Sequence, residues 1–96
     1  MSVIEAMRAR LAVLEPSAIE IIDDSARHSG HAGVRDGGGH YRLSIVSPHF
    51  AGHPTMARHR LVYDALGPLM KQEIHALSIT AHTPEETRKL KDSIIP

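Results

Sequence analysis

Ile4, Met7, Leu11 and Leu14 recur at helical spacing near the start of the chain, with Arg8 and Arg10 off their face. Ser2 and Glu5 stand ahead of them as a capping box, and Pro16 disfavours helical geometry at Glu15. The pattern predicts a helix from about Val3 to Leu14. The period then changes to two. Ile19 and Ile21 share one face of A-I-E-I-I-D-D (18–24) with Glu20 on the other, which predicts a strand. In H-Y-R-L-S-I-V-S (40–47), Tyr41, Leu43 and Ile45 alternate with Arg42 and Ser44, which predicts a second strand antiparallel to the first. Between them, residues 25–39 hold five glycines and no apolar period, the signature of a long mobile loop.

Phe50, Gly52 and Pro54 mark another loop. A helix follows in which Leu61, Val62, Ala65 and Leu66 make the apolar face, opposite Arg60, Asp64 and Lys71. Gly67-Pro68 breaks it, and Pro68 restarts a short helical turn through Lys71. Ile74 to Ala81 reads as a third strand with Leu77 and Ile79 on its core face. His75 has the same parity, so spacing alone makes it a partly buried, satisfied histidine at the strand's entry. Thr83, Pro84 and Glu86 give an N-cap, an N1 proline and a capping-box acid for a last helix from about Pro84 to Ser93. The order is αββααβα, with the middle helix short. The crossover from second to third strand makes that pair parallel. The expected fold is α+β: a three-stranded mixed sheet with helices packed on one face.

Composition narrows the function classes. Ninety-six residues suffice for a single domain, 1–96. Eleven basic and eleven acidic residues balance, which argues against a surface that grips nucleic acid all over. Aromatics make up only 3%, so the core is expected from Ile, Leu, Val, Met and Ala. There is no cysteine, so neither a disulfide nor a thiolate metal site can come from this chain alone. No run of about 20 apolar residues offers a membrane span. The opening M-S-V-I-E lacks a charged start followed by an apolar run, so no signal peptide is expected and the default compartment is cytoplasmic. No serine sits in a Gly-x-Ser-x-Gly turn, and adjacent Asp23 and Asp24 point to opposite faces of a strand. The expectation is that the chain is not an enzyme.

The eight histidines are the unusual feature. His28 and His31 stand three apart in the glycine-rich loop, and neutral imidazole is the commonest metal ligand. Two or three histidines cannot close a tetrahedral site, but they can cap one side of a site that another protein completes. Arg58, His59 and Arg60 open the central helix, where they can touch phosphate. Arg58 projects near the middle of the apolar stripe, so it must lie past the edge of the core or pair with something. A cationic helix start also opposes the helix dipole, and suggests that an anionic or carbonyl-rich partner docks there. The literal G-x-x-G at 30–33 lies between strands, not between helices as in a KH phosphate clamp.

D-D-S-A-R-H at 23–28, H-Y-R-L-S-I-V-S at 40–47, F-x-G at 50–52, R-H-R-L-V-Y at 58–63 and I-H-A-L-S-I at 74–79 occur in one order and spacing over roughly residues 3 to 90. In this the chain resembles the BolA family. The resemblance implies a KH-like αββαβα core. It also implies an adaptor that partners a monothiol glutaredoxin as a heterodimer and shares a bridging two-iron two-sulfur (2Fe-2S) cluster, in iron–sulfur trafficking or iron regulation. The partner supplies a cysteine and a glutathione thiolate. This chain supplies His75 and a loop ligand, which falls on His28 with His31 as its neighbour. Imidazole binds deprotonated, so cluster binding is expected to weaken as pH falls through roughly 6.5. Some BolA-like proteins act instead as DNA-binding transcriptional regulators, a reading that uses Arg58, His59 and Arg60.

Overall fold

A computed structural model describes residues 2–24 and 39–94. Helix α1 (Val3–Leu11) opens on the expected capping box: the Ser2 hydroxyl accepts from the Glu5 N–H, and the Glu5 carboxylate accepts from the Ser2 N–H. The α-helix is shorter than its apolar period. Residues Ala12–Leu14 tighten into a 3-10 turn, and Glu15, held before Pro16, takes a positive φ of 49°. Met7, Leu11 and Leu14 are nonetheless all buried, since the tighter turn keeps them on one side.

Strands β1 (Ala18–Asp23), β2 (Gly39–Val46) and β3 (Ile74–His82) form one sheet in that order. The β1–β2 pair is antiparallel and β2–β3 is parallel, as the crossover requires. Three rows cross the inner face: Ile19–Ile45–Ala81, Ile21–Leu43–Ile79 and Asp23–Tyr41–Leu77. Met7 and Leu11 of α1, and Val62 and Leu66 of α2 (Thr55–Leu66), pack on these rows. The short helix α3 (Leu69–Gln72) leads into β3, and α4 (Pro84–Ile94) follows it. Glu20, Ile22, Arg42, Ser44, Ser78 and Thr80 stay exposed, so the helices cover one face and leave the other open. Among the described residues, no helix is long and apolar enough to cross a membrane.

Two findings depart from the sequence pattern. The core is not purely aliphatic: beyond Tyr41, which the alternation of the second strand already turned inward, Phe50 on a 3-10 turn at Pro48–Phe50 is fully buried. A low aromatic count does not prevent the few aromatics from going inside, where each buries a large apolar area. The second departure is His75. Gly39 pairs with Ile74 but His40 pairs with Ala76, so the ladder slips by one residue and His75 is the unmatched one. The slip lets Ile74 (4% exposed) and Leu77 both face inward although they are three apart. His75 is therefore exposed, not partly buried as its parity implied. Burying isoleucine is favourable by about 1.5–3 kcal/mol, whereas an inward imidazole needs a partner.

A buried polar contact ties α1 to the sheet. The Ser47 hydroxyl donates to the Leu14 carbonyl, an orphan acceptor at the end of the first helix, and accepts from the His49 N–H at 3.0 Å. Ser47 is fully buried. Ser47→Ala strands both partners and is expected to cost about 1–3 kcal/mol, read as a lowered urea midpoint at unchanged m-value.

Candidate metal-ligand face and the Arg58 cluster

The two ends of β3 carry different chemistry. At its start, the bulge places His75 beside His40, the second residue of β2. Their ring centroids are 5.1 Å apart with the planes inclined at 41°. The Gly39 N–H donates to the Glu73 carbonyl at 3.0 Å, and the Asp24 N–H donates to the His40 carbonyl at 2.7 Å. Both stems of the glycine-rich segment are thus fastened at this end. Asp24 is also held by Arg42, whose Nε lies 2.7 Å from its carboxylate. Burial, and then the nearby Asp23 and Glu73 carboxylates, push the Tyr41 phenol above its ordinary range. Among the described residues no three histidine, aspartate or glutamate side chains gather as a metal-binding group. What this end offers is a pair of imidazoles and an incomplete ligand set. His28 and His31 lie outside the described residues. His40 was not singled out by the sequence pattern. Its only local signal is its place at the loop–strand junction, because contact with His75 depends on a register that spacing does not reveal.

The other end lies seven residues along the strand, roughly 23 Å away. There Arg58 is consumed inside the protein. Its Nε donates to the His53 carbonyl at 2.7 Å and its Nη1 to the Ala81 carbonyl at 3.1 Å. Its two terminal nitrogens grip both oxygens of Glu86 at 2.7 and 2.8 Å. Glu86 is the expected capping-box acid of α4, accepting from the Thr83 N–H while Thr83 accepts from the Glu86 N–H. The carbonyl-rich, anionic partner expected at the start of α2 is therefore internal. This corrects the placement of Arg58 in a phosphate-binding triplet: its side chain is only 13% exposed and its guanidinium is already paired. His59 is half-buried, and Arg60 alone of the three is exposed. A cleft of about 470 Å³ beside the pair is lined by His53, Thr55, His82 and Lys89, among others.

Arg58, and next the Thr83 N–H, hold the Glu86 carboxyl down to about 2 from 4.5. The sign follows from linkage: a depressed acid contributes stability above its unfolded value and loses it as pH falls through the folded one. That contribution is present above about pH 4.5 and disappears between there and about pH 2. Glu86 is well exposed, so solvent screening keeps the effect modest. Thermal melts of Glu86→Gln are expected to start lower at neutral pH and to fall less steeply with acid than the parent's.

The fold and the residues at its two ends can be set beside known proteins. A family model described as BolA-like protein matches residues 11–86. The chain belongs to the BolA family. Among curated BolA relatives, SufE-like protein 1, chloroplastic/mitochondrial, of Arabidopsis thaliana is 47% identical over 78 residues, covering 76% of this chain and 21% of that protein. The chain thus spans about a fifth of that relative's length. The DNA-binding transcriptional regulator BolA of Escherichia coli is 31% identical over 83 residues, covering 86% of this chain and 76% of that one. Among solved BolA structures, BolA1 from Arabidopsis thaliana superposes with a TM-score of 0.76 at 38% identity, covering 90% of this chain and 96% of that one.

Proposed function

We propose that this BolA-family chain is an adaptor that partners a monothiol glutaredoxin and shares a bridging 2Fe-2S cluster with it, in iron–sulfur trafficking or iron regulation. The observation that carries the reading is the bulge that turns His75 out to solvent at the sheet end where Asp24 and Gly39 flank the segment bearing His28 and His31. A chain without cysteine has no thiolates for such a cluster, while imidazoles suit one side of it. The donor set fits half a site: the exposed imidazole of His75 beside the half-buried His40, with no third donor gathered among the described residues. In this reading His75 is one ligand and His28 the other, with His31 as the neighbour able to replace it. Two imidazoles opposite two thiolates from the partner's cysteine and glutathione raise the reduction potential relative to an all-thiolate cluster.

The test is to mix the protein anaerobically with a cluster-loaded monothiol glutaredoxin and record the visible spectrum. A changed spectrum and a one-to-one complex are expected. The isolated chain, reconstituted with iron and sulfide but no partner or glutathione, is expected to hold no cluster. A stable cluster on the lone chain defeats the shared-ligand account.

A second reading, a DNA-binding regulator, draws on the description of the E. coli relative. The pairing of Arg58 leaves it Arg60 and the half-buried His59 at the start of α2. It requires that Arg60→Ala lower DNA affinity and its salt dependence together.

A further inference from the structure

We propose that His40 and His75 form a two-imidazole chelate that binds one divalent transition-metal ion of the zinc class on this chain alone. The inference shares His75 with the cluster reading but stands on a different observation, the pairing of two rings across the β2–β3 ladder.

The geometry comes first. Two imidazoles bound to one tetrahedral ion at nitrogen–metal distances near 2.0–2.1 Å have ring centroids about 5 Å apart. His40 and His75 stand at 5.1 Å, with planes inclined at 41°, so the rings are not stacked on each other. The match does not come from regular pairing. In an unbroken ladder each residue of β2 faces one residue of β3, and here Ala76 takes the place opposite His40. His75 is the inserted residue, and a bulge is the device by which a strand re-aims a single side chain.

Rigidity is the second argument. Both histidines sit on sheet backbone rather than in a loop. The Gly39 N–H bond to the Glu73 carbonyl and the Asp24 N–H bond to the His40 carbonyl fasten the strands on either side. Donors carried on paired strands are held closer to a fixed separation than donors on loops. The second imidazole is then delivered at a high effective concentration once the first has bound.

Donor type selects the ion. Neutral imidazole suits zinc, copper and nickel, whereas magnesium and calcium want oxygen ligands. No third protein donor gathers there among the described residues, so the remaining coordination positions fall to solvent or to a partner's donors.

Cobalt(II) serves as the probe, because its visible absorption reports four-coordinate binding, and zinc serves as the competitor. The full chain is titrated as the parent, His40→Gln, His75→Ala and a His28→Ala/His31→Ala double variant. One cobalt per chain, displaced by zinc, is expected for the parent and the loop variant. His40→Gln keeps a polar side chain at the same place, and it and His75→Ala are each expected to bind at least about 10-fold more weakly. Parent-like binding by His40→Gln overturns the proposal, as does loss confined to the loop variant. Circular dichroism on each variant separates lost donors from lost fold. Cluster uptake from a loaded glutaredoxin, measured on the same proteins, keeps the two readings apart. Cobalt binding without cluster uptake defeats only the cluster reading, and cluster uptake with parent-like cobalt binding by His40→Gln defeats only this one.

Discussion

His75→Ala is expected to abolish the spectral change proposed for the parent chain with a cluster-loaded glutaredoxin, and to leave stability within about 0.5 kcal/mol. The two halves of that result have separate causes. Functionally, the variant removes the exposed imidazole that the bulge turns outward at the start of β3. Energetically, His75 is an exposed residue outside the core, and the hydrophobic drive at this end belongs to Ile74, which the variant keeps. A parent-like spectrum from His75→Ala removes that residue from the site. A lost spectrum together with a collapsed urea midpoint shows a structural residue instead. The pairing of the two readouts distinguishes a ligand from a packing group.

The largest loss of stability is expected from Phe50→Ala. Phe50 is fully buried and is the only phenylalanine in the chain. It lies between β2 and α2, in the turn that brings the central helix onto the sheet. Truncating a buried phenylalanine costs about 3–5 kcal/mol in lost transfer free energy and cavity formation. Domains of this size have only about 5–15 kcal/mol in total. The melting temperature is expected to fall by at least about 12 °C. Phe50→Leu, which leaves a smaller void, is expected to recover more than half of the loss. A shift below about 1 kcal/mol for the alanine variant contradicts the packing described for this turn.

Much of the architecture was legible because it is written in local periods. Alternation at Tyr41, Leu43 and Ile45 located β2 and its inward face, and both capping boxes formed as spaced. The crossover length dictated a parallel β3. Features that depend on chain segments far apart were not legible. The slip at His75 resolves a competition between Ile74 and His75 for one inward position, and two-residue periodicity has no term for it. Arg58 announced that it needed a partner, but the carbonyl of Ala81 and the carboxylate of Glu86 lie 23 and 28 residues away. His40 became notable only once the register put it next to a displaced neighbour. Phe50 escaped because one aromatic in a polar loop context carries no period at all. The ligand roles proposed for His28 and His31 rest on family resemblance, since a glycine-rich segment has no pattern of its own to fix them.

The irregular pairing at the start of β3 also has a bearing on association. β3 is an outer strand, and a straight outer strand offers a row of unpaired amides and carbonyls on which a neighbouring molecule can add its own. A kink at the very end where pairing would begin spoils that template. The distortion that exposes an imidazole thus also makes this end of β3 a poorer template for the strand of a second copy.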